Sequence, residues 1–456
     1  MDEVFTFGPV PAAPQMNVTA TYAELKSSPE LYFEESGADI GWMMSSSVLV
    51  FLMIAGLCLH FSGISRPQKT LTLVRLPLIT TAAVGCIWYT WGYSLAFSPA
   101  TYSTTFGGVS WYGGDMKANA YLDVTARPVG IQGPDSNSMR GRKIPEMVYV
   151  FYQGMFACFT ASLVAGGAAG KMRVGRFLLF ITLWVTLVYC PIARWTWHPQ
   201  GWSKLRGAMD FAGGTAVHVC SGSSVAAFAQ QPSAAPPPRQ SDLEMEQAQL
   251  PYSINHMVVG TALLWIGWFG FNGGSALGAN LRAVSACLAT QTAACAGGTI
   301  GLLLQWGAIR LDRIAEDPDQ LFHTPSIQEF CDGVIAGLVA ITPAAGYVPV
   351  KYASVFGVVA AVVCKILRII FSTFLLREDR LFVFAVHAGG GATGMLLTAF
   401  FAEYALIGSR LEVDEELTTG ILATKPLASM VTVDLWIERW VLDFGKDTRC
   451  AQAIIC

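Results

Sequence analysis

Ten apolar runs, each about the length needed to cross a lipid bilayer, constrain this chain more than any other feature. They lie near residues 41–64, 76–97, 147–169, 175–193, 208–229, 256–276, 284–308, 332–349, 353–375 and 381–407. A hydrocarbon core asks for about 20 residues of helix per crossing. Because lipid offers backbone groups no partners, runs of this length are expected to span as α-helices. Composition agrees. Of 456 residues, 53% are hydrophobic and only 13% are charged, where soluble domains carry about 25% charged. Mean hydropathy is +0.46. A net charge of −3 leaves no basic field for a nucleic acid. The 11 cysteines form no Cys-x-x-Cys pair and lie mostly inside apolar runs, so they read as small core residues rather than a zinc or disulfide framework. The chain reads as an all-α integral membrane protein.

An even number of crossings returns the chain to its starting side. Taken alternately, one set of loops holds thirteen basic residues: Arg66, Lys69, Arg75, Lys171, Arg173, Arg176, Arg239, Arg310, Arg313, Lys365, Arg368, Arg377 and Arg380. The other set holds ten, five of them in the long 98–146 loop, and the N-terminal segment adds only Lys26. Basic residues gather on the cytoplasmic side, so the N-terminus is expected outside, with residues 1–40 extracellular. That segment is polar and acidic and lacks the basic-then-apolar pattern of a signal peptide. Asn17-Val18-Thr19 would there be a usable glycosylation acceptor.

The loop at 230–255 contains Gln-Gln-Pro-Ser-Ala-Ala-Pro-Pro-Pro and then an acidic stretch, Asp242 to Glu246. It divides the membrane domain, 41–408, into halves 41–229 and 256–408 with five spans each. Five is odd, so the second half must run opposite to the first. That is the arithmetic of an inverted repeat, with a substrate path between the halves. The fifth span has Ala216-Val217-His218 beside Gly213-Gly214, and the tenth has Ala385-Val386-His387 beside Gly389-Gly390-Gly391.

Of six histidines, His218 and His387 sit deep in apolar spans, where a polar side chain normally faces a cavity or a partner. A single such histidine is more often a core residue bonded to a carbonyl. Two at equivalent repeat positions favour a paired, pore-lining role, and no third or fourth ligand nearby suggests a metal. His60 also lies in an apolar run, with no role that the pattern assigns; His198, His256 and His323 fall at span ends or in loops. Asp210, eight residues before His218, suits a helix cap more than direct cation binding. Trp195, Trp197, Trp202, Trp265 and Trp268 read as interface anchors, a subset of which would bind a small cation through the ring face.

Four stretches carry a family resemblance: Asp210-Phe-Ala-Gly-Gly-Thr-Ala-Val-His218, Gly267-Trp-Phe-Gly-Phe-Asn-Gly-Gly-Ser275-Ala-Leu, Gly337-Leu-Val-Ala-Ile-Thr-Pro-Ala-Ala-Gly346 and Val386-His387-Ala-Gly-Gly-Gly. Together they resemble the ammonium transporter (Amt/Mep/Rh) family. Trp91-Gly-Tyr-Ser-Leu-Ala-Phe97 and Tyr189-Cys-Pro-Ile-Ala-Arg-Trp-Thr-Trp197 resemble its fungal ammonium permease branch, and the likeness covers about 41–408 in the family's order. The resemblance implies the eleven-helix ammonium transporter fold, a homotrimer with one pore per subunit, a plasma-membrane location amid lipid, and no enzyme activity or cofactor. It implies ammonium or ammonia as substrate, with methylammonium as analogue. Trp197 and Ser275 then align with the outer recruitment site and Asp210 with the acid that supports it. Phe156, within Tyr152-Gln-Gly-Met-Phe-Ala157, and Phe271 align with the stacked pair gating the pore, and His218 and His387 with the pore histidines.

Three features depart from the family pattern. The 409–456 segment has no clean apolar run, since its best eleventh-span candidate, 417–436, is interrupted by Lys425, Pro426 and Asp434. Either that segment crosses, or the chain ends outside without a cytosolic tail. Arg194 stands beside the recruitment region, where a cation would repel ammonium or snorkel to headgroups. The first span reads Gly56-Leu-Cys-Leu-His-Phe-Ser-Gly63, a loose match. Alternatives to a transporter are an ammonium sensor, a non-conducting partner subunit and, least, a membrane haem enzyme, against which the Gly-rich surroundings of both histidines argue.

Overall fold

In the computed structural model each of the ten apolar runs contains a helix. The structure describes residues 37–97, 105–106, 109–110, 144, 146–198, 201–230, 252–316, 327–374, 379 and 381–403. The helices are α1 (Gly37–Ile64), α2 (Pro67–Phe97), α3 (Glu146–Ala168), α4 (Val174–Trp197), α5 (Gly214–Val219 continued by Cys220–Ala229), α6 (Ile254–Gly274), α7 (Leu281–Glu316), α8 (Ile327–Ile341), α9 (Val350–Phe374) and α10 (Phe384–Phe401). In the α2–α3 loop, β1 (Thr105–Phe106) pairs antiparallel with β2 (Val109–Ser110). Residues 1–36, most of the 230–255 loop and the eleventh-span candidate at 417–436 lie outside the described residues.

Among the described residues, eight helices are long and apolar enough to cross a membrane. The other two runs hold shorter helices. In α5 a π turn of 6 residues leads into an α-helix of 10, and α8 has 15 residues. The runs containing them are completed by irregular backbone, with buried residues on both stretches, before α5 and after α8. These stretches meet: Phe211 N–H donates to Pro343 C=O at 3.0 Å, and the Phe211 and Tyr347 rings stand edge to face 5.2 Å apart. Irregular backbone at such depth survives only where protein supplies its partners.

The chain's alternation is visible at both ends of the bundle. Ser253 N–H donates to Gly63 C=O, joining the end of α1 to the start of α6. On the opposite face Ala279 N–H donates to Asp39 Oδ1, and Lys351 stands 3.9 Å from Glu403. The face where α1 begins is termed outer, following the basic-residue expectation. The broadest helix contact among the described elements is α1 on α6. It needs small residues: a methyl group on Gly260 would lie 2.3 Å from the His60 backbone N, and one on Gly63 would lie 2.5 Å from Met257 N. Such backbone proximity is how helices gain packing where lipid gives no hydrophobic drive. Outward-facing Leu71, Leu281, Leu288 and Phe400 are exposed, as suits an apolar surround.

Candidate functional site

The two buried histidines occupy matching π turns, Gly214–Val219 in α5 and Phe384–Gly389 in α10. Each turn is capped by an acid eight residues before its histidine. Asp210 Oδ1 accepts N–H from Gly213 and Gly214 at 2.7 Å each, and Oδ2 accepts from Thr215 at 2.8 Å and Ala216 at 3.4 Å. At the inner end Asp379 accepts from Val383 at 3.1 Å and Phe384 at 2.9 Å. Burial pushes the Asp379 carboxyl up to about 6, against the pull of these two bonds and of Lys171. Gly213, at φ +115°, makes the turn by which four N–H groups converge on one carboxylate. Asp210 thereby neutralises the positive end of α5 where a cation would otherwise meet it.

His218 and His387 are brought together, Nδ1 to Nδ1 at 3.1 Å. Their tautomers follow from the neighbours. Thr342 Oγ1 donates its one hydrogen to Leu338 C=O at 2.8 Å and accepts from Trp268 Nε1–H at 2.9 Å. Its 3.4 Å contact with His218 Nε2 must then be another acceptance, which puts the His218 hydrogen on Nε2. His218 Nδ1 is left with a lone pair, so His387 Nδ1–H donates across the pair and His387 Nε2 keeps a lone pair. Close helix packing allows this: a methyl on Gly391 would stand 2.7 Å from Gly214 C=O and 3.0 Å from His218 Cβ.

Outward of the pair the aromatic rings form a continuous column. His218 stacks on Phe271 with centroids 6.0 Å apart, and Phe271 stacks on Phe156 at 4.1 Å and 21°. Phe156 meets the Trp197 ring edge to face at 6.0 Å. Trp197 is anchored by its Nε1–H donating to Asp210 C=O at 3.1 Å. Ser275, partly exposed like Trp197, lies 3.2 Å from the Tyr152 hydroxyl and gives its own hydrogen to Phe271 C=O at 2.9 Å, so its lone pairs remain to accept. Trp197, Ser275, Asp210, Phe156, Phe271, His218 and His387 therefore fall on one line through the bundle.

Other residues differ from their sequence-level reading. Arg194 reaches no headgroup: it is fully buried and donates from Nη1 to Ala96 C=O at 3.4 Å. Trp268, read as an interface anchor, is fully buried beneath His218, with ring centroids 5.5 Å apart, because Thr342 offers its N–H an internal acceptor. Trp195 packs on Trp202 rather than over the cup. Nothing in the sequence marks Tyr152 or Thr342 as a site residue, since hydroxyls in apolar helices commonly bond back to their own turn. His323 lies outside the described residues. Among the described residues no cluster of metal-ligating side chains occurs.

Residues 41–435 match the sequence profile described as Ammonium Transporter Family. The chain belongs to the ammonium transporter family. It is 36% identical over 374 residues to Ammonium transporter 1 of Schizosaccharomyces pombe, covering 80% of this chain and 66% of that protein. It is 36% identical over 368 residues to Ammonium transporter MEP2 of Saccharomyces cerevisiae, covering 80% and 67%. The chain thus spans about two thirds of these relatives' length. The crystal structure of Candida albicans Mep2 superposes with a TM-score of 0.73 at 32% identity, covering 91% of this chain and 84% of that one. Membership of the family makes this a multi-pass membrane protein of transporter fold.

Proposed function

We propose that the chain carries ammonium across the plasma membrane, recruiting it as a cation at the outer face and passing it through the bundle as ammonia. The observation that carries this reading is the unbroken row of contacts from Trp197 through Phe156 and Phe271 to His218 and His387. A cation cannot cheaply enter an apolar passage of this kind. Ammonium can leave its proton behind, whereas potassium has none to leave. The Trp197 face and the Ser275 oxygen would hold the cation by ring attraction and an accepted N–H bond. Asp210 keeps α5 from repelling it. The stacked phenyl rings block the path at rest, and a neutral guest displaces them at lower cost than an ion. Beyond them the imidazole pair offers polar nitrogens in a largely apolar wall, where ammonia can exchange hydrogen bonds as it passes. An N-terminus outside and a trimeric assembly complete the proposal.

The test is labelled methylammonium uptake by cells lacking their own ammonium carriers, with surface expression measured in parallel. Saturable uptake, competed by ammonium and not by potassium, is expected, and His218→Ala or His387→Ala should abolish most of it. Absence of uptake from protein present at the surface refutes the proposal.

A further inference from the structure

Below the histidine pair the bundle holds a cavity of about 50 Å³, room for a short file of molecules the size of water or ammonia. Two imidazoles line it: His387, from α10, and His60, from α1. His60 is 5% exposed and is held in place by the close α1–α6 contact at Gly260.

Its hydrogen bonding fixes its tautomer. Thr261 Oγ1 donates its hydrogen to Met257 C=O at 2.8 Å, so at the 3.1 Å contact with His60 Nδ1 it must accept. The His60 hydrogen therefore lies on Nδ1, and Nε2 carries a lone pair. His387 has the same arrangement, its Nδ1–H engaged by His218. Glu329 and Asp332, which also line the cavity, are ion-paired: Glu329 with Lys365 and Arg368, and Asp332 with Arg368. Beside these mutually neutralised charges, two imidazole lone pairs among apolar side chains suit a small neutral guest rich in N–H donors.

Building on the transport reading, we propose that His60 is a third working imidazole of the pore, accepting an N–H of ammonia as it leaves His387 for the inner mouth. Ammonia has three N–H groups and can give one to each ring while it moves from one to the other. Without His60, the guest leaving His387 meets apolar side chains and ion-paired carboxylates in place of a neutral acceptor, and that step slows exit. The outer cup, at the other end of the pore, is untouched.

The test compares wild type, His60→Phe and His60→Gln in the methylammonium uptake assay, each normalised to protein at the cell surface. Phenylalanine keeps an aromatic ring and removes the acceptor, whereas glutamine can keep a polar contact with Thr261 and present a carbonyl oxygen. Maximal uptake by His60→Phe is expected to fall about tenfold, the order expected for one lost hydrogen bond, with half-saturation unchanged to within about twofold. His60→Gln should hold at least about half of the wild-type maximum. If His60→Phe fails to reach the surface, His60→Gln against His60→Leu gives the same comparison. Wild-type rates in the acceptor-free variant, or equal loss in both variants, overturn the proposal by making His60 inert or merely a packing residue. No uptake by surface-exposed wild type overturns the transport reading, and this inference with it.

Discussion

A hydroxyl has one hydrogen to give, and Thr342 gives its own to Leu338 C=O. It is left as the shared acceptor for Trp268 Nε1–H and His218 Nε2–H, so one small side chain sets the tautomer of the histidine pair. Thr342→Val keeps the shape and removes that acceptor, stranding two buried donors. The expected cost is about 1–3 kcal/mol in stability, read as a lower Tm of the purified protein, together with a fall in maximal uptake as His218 loses its preferred tautomer. Thr342→Ser should restore both. Wild-type uptake in Thr342→Val would remove Thr342 from the tautomer argument. His218 and His387 were legible in sequence because an ionisable ring inside an apolar run needs an explanation. Thr342 was not, because a threonine in such a run is ordinary and nothing local marks it as facing an imidazole 124 residues away. His60 shows the intermediate case: its depth was visible, while the cavity it shares with His387 exists only once α1 is packed against α6.

At the scale of elements, the repeat is written in the acid-to-histidine spacing, Asp210 to His218 and Asp379 to His387, eight residues each. The apolar runs marked where helices lie, but not where α5 begins or α8 ends. Apolarity reports that a segment is out of water; it does not report that the segment is helical. Phe211 and Pro343 lie on apolar stretches whose backbone groups satisfy each other instead. The two caps differ in their setting, since Asp379 stands near Lys171 at the inner end with a carboxyl raised to about 6 from an ordinary value of 3.8. The sign follows from proton linkage. A raised carboxyl favours the folded protein when protonated, and that stabilisation is complete below the ordinary value and lost as pH climbs through the raised one. Lowering the pH from about 7 to about 5 should therefore raise the Tm of the purified wild type relative to Asp379→Asn, whose amide does not titrate in that range. Parallel Tm profiles for the two proteins would show that Asp379 ionises like a solvated acid.

For the whole molecule, direction is what transport adds to a pore, and it depends on which face is outside. The hydrogen bond from Ala279 to Asp39 and the Lys351–Glu403 approach put the start of α1, the α6–α7 turn and the ends flanking α9 and α10 on one face. Trp197 and Ser275 end α4 and α6 on that same face, while Arg173, before α4, lies on the opposite one with the Glu329–Arg368–Asp332 cluster. In the proposed orientation, which rests on the excess of basic residues, the second face lies in the cytosol. Ala279 and Arg173 are both exposed, so each tolerates a reporter. In intact cells a membrane-impermeant maleimide should label Ala279→Cys at once and Arg173→Cys only after permeabilisation, with the native cysteines replaced beforehand. The reverse pattern would turn the Trp197–Ser275 cup toward the cytosol. The same geometry would then describe a pathway whose cation site faces cytosolic ammonium, and His60 would stand at its outer mouth. Labelling of both positions in intact cells would instead mean that the ten crossings do not alternate as the helix contacts imply. Because the labelling asks nothing of activity, it fixes the direction of the pore before any flux is measured.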